Sequence, residues 1–266
     1  MSVLPTEQGM NTAKVQTDVY DEKYEVDLDS GTSDYVGNQE RPSFYADGAK
    51  YWEGIEPTIE GMLGGFAQLS DIDVGASRRF LKEFCEKRQH PTGTLRALDC
   101  GSGIGRVTKM MLSHIFNEVD MLEQNQQFLD KADDYLGECR HKVGRKICSG
   151  LQSFIPDPQR PYDVIWVQWV TGHLTDTDFV EFLRNAANGL RENGLICVKD
   201  NLSSCSVEMD NKDSSVTRPR SLVLEIFRKA NLRLVGERKQ IRFPKGLYEV
   251  KMFALKPKKT EVALSE

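Results

Sequence analysis

The chain has 266 residues, of which 39% are hydrophobic and 28% charged, and its formal net charge is -5. This length predicts one large domain or a domain with small additions. The acidic balance gives no electrostatic support for a nucleic-acid partner, and no apolar run reaches the length of a membrane-spanning helix. An acidic surface suits a basic substrate, but ordinary solubility is the simpler explanation.

The chain divides by composition into a tail, a helical cap, a core and a second tail. Residues 1–40 are short of aliphatic side chains and rich in Asp, Ser, Thr and Gly, which predicts a mostly disordered segment. We expect a single domain over 41–256, with a helical cap over 41–90 that is broken at Pro57 and at Gly64-Gly65. The aromatic residues of this cap either cover a ligand or only pack on the core. Residues 257–266 are predicted to be a flexible tail.

The core, residues 91–256, alternates predicted strands and helices. Apolar runs predict buried strands, and apolar residues at helical spacing predict amphipathic helices between them. The predicted strands are 95–99, 119–123, 146–149, 163–167, 195–199, 232–240 and 248–255, and the predicted helices are 107–115, 125–136, 176–190 and 221–230. The last two strands are expected to be antiparallel. The fold class is therefore α/β, a doubly wound, Rossmann-like sheet of seven strands whose ligand lies beyond the carboxyl ends of the strands.

A glycine-rich loop follows the first core strand. An apolar run ends at Asp99, the loop reads Cys100-Gly101-Ser102-Gly103-Ile104-Gly105, and Arg106 opens a helical pattern. This arrangement predicts a tight strand-to-helix turn at which a ligand touches the backbone. Glu123 ends the next apolar run, at the distance where an acid can bind ribose hydroxyls. The loop by itself could be an ordinary turn, but the combination predicts a nucleoside-containing cofactor.

The spacing of the glycines distinguishes between cofactors. The dinucleotide fingerprint is G-x-G-x-x-G, whereas this loop reads G-x-G-x-G and has Arg106 where the last glycine would stand. A cationic side chain beside a helix N-terminus suits a small carboxylate better than a pyrophosphate. S-adenosyl-L-methionine has a carboxylate, a ribose and no phosphate. The sequence therefore favours this cofactor over NAD or FAD.

Several more specific pieces of the sequence resemble one family. From residue 44 to residue 255 the chain is similar to the protein N-terminal methyltransferases, which use S-adenosylmethionine to methylate the α-amino group of proteins that begin X-Pro-Lys or X-Pro-Arg. The resemblance implies the class I methyltransferase fold. It rests on Tyr51-Trp52, Met62-Leu63-Gly64-Gly65, the glycine loop, Gly150-Leu151-Gln152, Ile165-Trp166-Val167-Gln168-Trp169-Val170, Gly172-His173-Leu174, Lys199-Asp200-Asn201 and Asp213-Ser214-Ser215.

The resemblance assigns two groups of residues. It implies that the cofactor is bound by Gly101, Gly103, Arg106, Glu123, Asn125, Leu151, Gln152 and Gln168. It implies that the peptide channel is lined by Trp52, Trp169, His173, Asn201, Asp210, Asp213 and Tyr248. The chain departs from the family pattern at two positions, where Glu123 replaces an aspartate and Asn125 replaces a threonine.

Methyl transfer to an amine requires a proton acceptor. An α-amine has a pKa of about 7.7–8.0, so that only on the order of a tenth is neutral at pH 7. Asp213 and His173 are the candidate catalytic residues, because a carboxylate or an imidazole can take the proton. Each also has a structural explanation, since Asp213 could cap a helix and His173 could be an ordinary hydrogen-bonding residue.

The substrate-side residues have structural explanations as well. Trp169 is either a wall for a proline ring or a core residue, and Asn201 either pairs with peptide backbone or serves a turn. Asp210 either meets a substrate cation or is a solvated loop acid. Tyr248 either bonds the peptide or packs in the last strand pair.

The sequence leaves two alternative functions open and gives weak indications of the cellular compartment. The alternatives are a methyltransferase that acts on lysine side chains or a small-molecule amine, and a non-catalytic methyltransferase-like scaffold. The six cysteines form no C-x-x-C pair, so we expect reduced thiols and no metal site. No signal peptide is evident, and Lys256-Pro257-Lys258-Lys259 is no more than a faint nuclear-import hint, since a solvated tail is the simpler explanation for so short a basic segment. We expect a monomer in nucleus and cytoplasm, without nucleic-acid or membrane partners.

Overall fold

The computed structural model describes residues 43–258. The predicted N-terminal tail (1–40) and nearly all of the predicted C-terminal tail (257–266) lie outside the described residues. Within 43–258, the structure has no helix that is both long and apolar enough to cross a bilayer.

The helical cap consists of three helices that precede the sheet. They are α1 (Phe44–Glu53), α2 (Ile59–Met62) and α3 (Ser70–Glu86), with a 3-10 turn over Ala67–Leu69. The breaks fall where they are predicted, because Pro57 lies between α1 and α2, and Gly64 and Gly65 follow α2 with φ angles of 56° and 92°.

Strands and helices then alternate through the core. The strands are β1 (Arg96–Cys100), β2 (Glu118–Glu123), β3 (Val143–Cys148), β4 (Tyr162–Gln168), β5 (Leu190–Ser203), β6 (Glu208–Asp210), β7 (Ser215–Pro219), β8 (Leu232–Lys239) and β9 (Glu249–Pro257). The helices are α4 (Arg106–Met110), α5 (Gln126–Leu136), α6 (Asp176–Asn188) and α7 (Arg220–Lys229).

The sheet confirms the predicted doubly wound fold. Its main body runs in the order β3-β2-β1-β4-β5-β9-β8, in which the first five strands are parallel and β9 is antiparallel to both of its neighbours. The order reverses between β1 and β4, so that a crevice opens at the carboxyl ends of these strands, where ligands of such sheets bind.

Apolar side chains pack on both faces of the sheet. Helices α3 and α4 cover one face around Trp166, and α5 packs against Met121 of β2. Helices α6 and α7 cover the other face around Ile165. Consecutive residues of β4 therefore belong to different layers, and all seven residues of this central strand are buried.

The structure differs from the sequence-based prediction in four elements. Strand β3 begins at Val143, three residues earlier than expected. The hairpin β6–β7 was not predicted; it lies between β5 and α7 and places Asp213 in its turn. Strand β5 begins five residues earlier than expected and passes through Asn193, which adopts a φ of 62° where a turn was predicted. Helix α4 ends at Met110, and a 3-10 turn over Leu112–His114 replaces its predicted second half.

Candidate active site

The glycine loop joins β1 to α4 at the crevice. Gly101, Gly103 and Gly105 have φ angles of 65°, 54° and 86°, a region that side-chain-bearing residues rarely adopt. A Cβ atom on Gly101 would lie 2.7 Å from Val170 Cβ, and one on Gly103 would lie 2.5 Å from Met62 Sδ. The loop is thus held between the end of β4 and the helical cap, and only glycine fits.

A cavity opens beside this loop, with an empty volume of about 870 Å³ that includes open solvent. Seven of the eight predicted cofactor residues line it; the exception is Asn125. Ser102 also lines the cavity, and its Oγ is buried without a hydrogen-bond partner among the described residues. The lining residues are Trp52, Met62, Asp99, Gly101, Ser102, Gly103, Arg106, Val107, Glu123, Gln124, Phe128, Gly150, Leu151, Gln152, Gln168, Trp169, Val170, His173 and Leu174.

Glu123 ends β2 with a buried carboxylate that faces this cavity. Its Oε2 accepts a hydrogen bond from the Gly103 N–H and its Oε1 accepts one from the Asn125 N–H, both at 2.9 Å. Burial raises the pKa of Glu123, and these backbone hydrogen bonds oppose the shift. Each oxygen retains a lone pair for a further donor, so that Glu123 can accept from ribose hydroxyls while it holds the glycine loop.

Asn125 does not line the cavity, although it was predicted to bind the cofactor. Its Oδ1 caps α5 by accepting from the Gln127 N–H at 2.9 Å, and its Nδ2 donates to the Trp52 carbonyl at 3.2 Å. The structure thus places Asn125 as a helix cap that ties α5 to α1.

Arg106 is 5% exposed and lines the cavity. One terminal nitrogen, Nη1, donates to Asp73 Oδ2 at 2.7 Å. A guanidinium has five N–H donors in a planar fork, so this contact leaves donors for an anionic ligand.

The partner of Arg106, Asp73, was not found from the sequence. It is fully buried in α3 and accepts hydrogen bonds from Arg106, from Gln168 Nε2 at 2.9 and 3.0 Å, and from Lys199 Nζ. The nearby cations lower the pKa of Asp73 against the effect of burial. A signal was present, since Lys199 interrupts an apolar run in a central strand and a buried lysine requires a carboxylate.

Asp99 is a second acid at this cavity. Its Oδ2 accepts from the Thr108 N–H at 3.0 Å and from the Thr108 hydroxyl at 2.6 Å, which fixes the start of α4. Burial raises the pKa of Asp99 to about 6, and the hydrogen bonds from Thr108 and the charge of Arg106 oppose the shift. No ligand-binding role was predicted for this residue beyond its place in the motif.

A second cavity, of about 1100 Å³, adjoins the first. Trp52, Met62, Trp169 and His173 line both, so the two cavities meet at these side chains. Six of the seven predicted peptide residues line the second cavity, namely Trp52, Trp169, His173, Asn201, Asp213 and Tyr248. Its other lining residues are Met62, Leu63, Phe66, Leu69, Gly172, Asp200, Ser215, Val216, Thr217, Phe243, Leu247 and Val250.

Asp210 is the predicted peptide residue that the structure leaves outside this cavity. It is exposed at the end of β6. The pKa of the neighbouring Tyr248 is raised, mainly by the hydrogen bond that its hydroxyl donates to Glu208 Oε2 at 2.6 Å, and the charge of Asp210 adds to this shift. Tyr248 is 46% exposed, so this group of residues forms the rim of the cavity.

Trp169 stands between the two cavities in a strained conformation. Its φ is 52°, which is rare for a residue with a bulky side chain. Its backbone N–H donates to the Lys199 carbonyl at 3.0 Å. The Arg106 guanidinium lies 5.5 Å from the ring centroid, and the Phe243 ring lies 6.5 Å away. Trp169 is only partly buried and lines both cavities, so it is not a residue of the fully buried core.

His173 lies in a 3-10 turn after β4, and its Nε2 is 3.0 Å from Trp52 Nε1. An indole N–H can only donate, so Nε2 accepts and the neutral ring carries its hydrogen on Nδ1. Burial lowers the pKa of His173, although Asp213, Asp200 and the Ser214 carbonyl favour the charged form. The lone pair of a neutral His173 is therefore engaged by Trp52.

Two carboxylates face the second cavity. Asp213 is in the β6–β7 turn, not at a helix N-terminus, and its Oδ1 accepts from the Ser215 hydroxyl at 2.6 Å. Asp200, which was not singled out from the sequence, accepts from the Thr171 N–H at 3.2 Å and the Thr171 hydroxyl at 2.5 Å, and burial raises its pKa. Both carboxylates act on the charge of His173, and Asn201, the next residue of β5, also lines this cavity.

Comparison with known proteins agrees with this geometry. A family profile described as AdoMet dependent proline di-methyltransferase matches residues 40–256. The N-terminal Xaa-Pro-Lys N-methyltransferase 1 of Danio rerio is 47% identical over 218 residues, which cover 82% of this chain and 97% of that protein. The enzyme of the same name from Homo sapiens is 45% identical over 225 residues, which cover 85% of this chain and all of that protein.

Solved structures of other methyltransferases resemble this chain as well. A SAM-dependent methyltransferase of Leishmania major superposes with a TM-score of 0.75 at 35% identity, covering 80% of this chain and 83% of that one. The phosphoethanolamine N-methyltransferase 1 of Haemonchus contortus, solved with S-adenosylhomocysteine, shares the fold, with a TM-score of 0.64 at 20% identity over 84% of this chain and 50% of that one. The chain therefore belongs to the family of S-adenosylmethionine-dependent proline di-methyltransferases.

Proposed function

We propose that this enzyme transfers a methyl group from S-adenosylmethionine to the α-amino group of proteins that begin X-Pro-Lys or X-Pro-Arg. The observation that carries the proposal is the junction of two cavities at Trp52, Trp169 and His173. One cavity has the glycine loop and a buried acid, and the other is lined by two carboxylates and by the indole of Trp169. A cofactor on one side and a chain terminus on the other would meet there. The names of the relatives support the choice of substrate.

The cofactor supplies an electrophilic methyl group on a sulfonium. In this proposal Arg106 binds its carboxylate, Glu123 accepts from its ribose hydroxyls, and the backbone of the glycine loop lies against it. The buried Ser102 hydroxyl, which has no partner among the described residues, and the close packing of Gly101 and Gly103 fit a ligand that touches this loop.

The second cavity suits a proline-containing N-terminus. Trp169 offers an indole face to the proline ring, with Phe243 beside it. Asn201 can donate to and accept from peptide backbone groups. Asp210, exposed at the rim, would meet the cation of the third substrate residue with a modest contribution to affinity, because an exposed ion pair is worth about 0–1 kcal/mol.

Asp213 is the proton acceptor in this mechanism. The substrate amine enters as an ammonium group, which the carboxylates of Asp213 and Asp200 attract, and it must lose a proton before its lone pair can accept the methyl group. His173 holds Trp52 through the only lone pair that a neutral imidazole ring has for accepting a hydrogen bond, so we assign it to positioning the junction and Asp213 to taking the proton.

The proposed function is tested with three peptides and labelled cofactor. One peptide begins Ser-Pro-Lys, the second is identical but acetylated at its N-terminus, and the third has glutamine in place of lysine. We expect transfer to the first peptide, none to the second and weak transfer to the third. Transfer to the acetylated peptide would identify a lysine methyltransferase, and transfer to none would support a scaffold or an enzyme for a small amine.

We also propose that the enzyme is a monomer that acts in nucleus and cytoplasm without nucleic-acid or membrane partners. The basic segment at 256–259 and six cysteines that are all free support the compartment. Light scattering should give a mass near 30.1 kDa, and imaging of a fluorescent fusion should show signal in both compartments. A dimer mass or exclusion from the nucleus would contradict these proposals.

A further inference from the structure

A cluster of three buried charges lies behind the cofactor cavity. Asp73 comes from α3, Arg106 begins α4 and Lys199 lies in β5, and the three residues are 0%, 5% and 0% exposed. The cluster holds two cations and one anion, which is an unusual composition for a protein interior, where a buried charge is costly unless it is paired.

The hydrogen bonds around Lys199 suit a charged amine; burial lowers the pKa of Lys199, and the carboxylate of Asp73 opposes that shift. Its Nζ donates to Asp73 Oδ1, to the Asp73 carbonyl at 3.2 Å, to Ser77 Oγ at 2.9 Å and to Gln240 Oε1 at 2.7 Å. Ser77 already donates its hydroxyl hydrogen to the Asp73 carbonyl, so it too acts as an acceptor toward Lys199. The surroundings therefore offer four acceptors to three N–H groups, which suits an ammonium group.

Lys199 and Arg106 share the carboxylate of Asp73. Lys199 contacts Oδ1, while Arg106 donates to Oδ2 at 2.7 Å. Gln168 Nε2 adds hydrogen bonds to both oxygens. The single negative charge of Asp73 thus interacts with two cations. Because Lys199 offsets part of that charge, Asp73 does not fully neutralise Arg106.

Lys199 itself does not line either cavity, whereas Arg106 lines the cofactor cavity. Both cations face the same indole, with Lys199 Nζ at 5.9 Å and Arg106 Cζ at 5.5 Å from the Trp169 ring centroid. Lys199 is therefore close enough to act on the charge of Arg106, but only through Asp73 and through space.

We propose that Lys199 is a positioning residue for the cofactor: by sharing Asp73, it leaves Arg106 with the net positive charge that binds the carboxylate of S-adenosylmethionine. This inference rests on the proposed role of Arg106. It predicts that Lys199 strengthens only the binding of ligands that carry this carboxylate. A purely structural lysine would affect all ligands of the cavity alike.

The test compares two ligands by calorimetry. S-adenosylhomocysteine carries the carboxylate, and 5′-methylthioadenosine retains the ribose and adenine but lacks it. In Lys199→Met, Asp73 keeps Arg106 and Gln168 as partners, and we expect the affinity for S-adenosylhomocysteine to fall by about tenfold or more, the order expected for a charge roughly 10 Å away at an effective dielectric constant near 20. The affinity for 5′-methylthioadenosine should change by less than about twofold.

Lys251→Met is the matched control. Lys251 is ion-paired with Glu237 at 2.6 Å and lies in β9, where the neighbouring Met252 is in register with Lys199. Side chains alternate along a strand, so Lys251 points to the opposite face of the sheet from Lys199. Its loss should leave the affinities for both ligands unchanged.

A second variant gives a result of opposite sign and covers the case in which Lys199→Met does not fold. Asp73→Asn removes the shared negative charge, so the preference for S-adenosylhomocysteine over 5′-methylthioadenosine should rise. The inference is overturned if Lys199→Met weakens both ligands equally or neither, or if Asp73→Asn lowers the preference. If Arg106→Ala also leaves the preference unchanged, the proposed role of Arg106 fails; if Arg106→Ala lowers it and Lys199→Met does not, only the role of Lys199 fails.

Discussion

Trp52 Nε1 donates a hydrogen bond to His173 Nε2 over 3.0 Å, although the two residues are 121 positions apart. This bond joins α1 of the helical cap to the turn that follows β4, at the point where the two cavities meet. It also fixes the tautomer of the neutral imidazole, and burial lowers the pKa of His173.

The first prediction concerns this bond. Trp52→Phe keeps an aromatic ring but removes the donor that occupies Nε2, so the lone pair becomes available and the pKa of His173 should rise from its lowered value. Turnover should then fall more at pH 6 than at pH 8, because a protonated His173 repels the substrate ammonium group. NMR titration of the imidazole measures the pKa directly. A pKa that stays where it is in the wild type would mean that burial alone sets it.

The second prediction concerns the proton acceptor. Asp213→Asn keeps the shape of the side chain but removes its charge, and we expect turnover to fall by about 100-fold or more, as for the loss of a general base. Affinity for S-adenosylhomocysteine should hardly change, and raising the pH above the pKa of the amine should recover part of the rate. His173→Gln, which can still accept from Trp52, should be milder. Near-wild-type turnover of Asp213→Asn from pH 6 to pH 9 would exclude the role.

The third prediction concerns the anchor of the cofactor. In Arg106→Ala, Asp73 keeps Lys199 as its partner, so the fold should survive with reduced stability. A charge-assisted hydrogen bond is worth about 1.5–3 kcal/mol, so calorimetry should show an affinity for S-adenosylhomocysteine that is at least about tenfold weaker. An unchanged affinity would remove Arg106 from the cofactor site.

The fourth prediction concerns the second substrate residue. If Trp169 forms the wall of a proline pocket, a peptide with glutamate at position two should not be methylated, because its charge would be buried against an indole. Alanine at that position should reduce the rate less, since it loses contact area without adding a charge. Mass spectrometry of the three peptides measures the rates. Equal rates for proline and glutamate would contradict the pocket.

The fifth prediction concerns stability and pH. The pKa of Asp99 is raised from 3.8 to about 6 in the folded protein, so the folded state holds its proton more tightly than the unfolded state does. Ionisation of Asp99 therefore costs stability as the pH rises from about 4 to about 6, by roughly 3 kcal/mol in total. Asp99→Asn keeps an acceptor for Thr108 and should gain stability relative to the wild type over that interval. Urea unfolding at pH 4.5 and 7.5 measures the difference, and a pH-independent difference would show that Asp99 is not the titrating group.

The sequence by itself determined the local features of this protein. The glycine loop was readable because three glycines and Arg106 follow one another directly, and their positive φ angles are a local property of the chain. Strands β1 and β4 were readable because each is a short apolar run that is buried on both faces, whereas in the parallel strand β3 partly buried residues alternate with exposed ones. The short strand β6 carries no such run, since all three of its residues, Glu208–Asp210, are partly or fully exposed, and the hairpin β6–β7 was missed.

Only the tertiary structure decided which side chains meet. Asp73 reaches Lys199 across 126 positions and Trp52 reaches His173 across 121, and no spacing rule links residues so far apart. The same is true of Asn125, which the family resemblance assigned to the cofactor but whose side chain bonds to α1 and caps its own helix. The local sequence fixes the conformation of each helix, strand and turn. The partners of a buried charge depend instead on how these elements pack, because only groups that packing brings within reach can offset the cost of burying the charge.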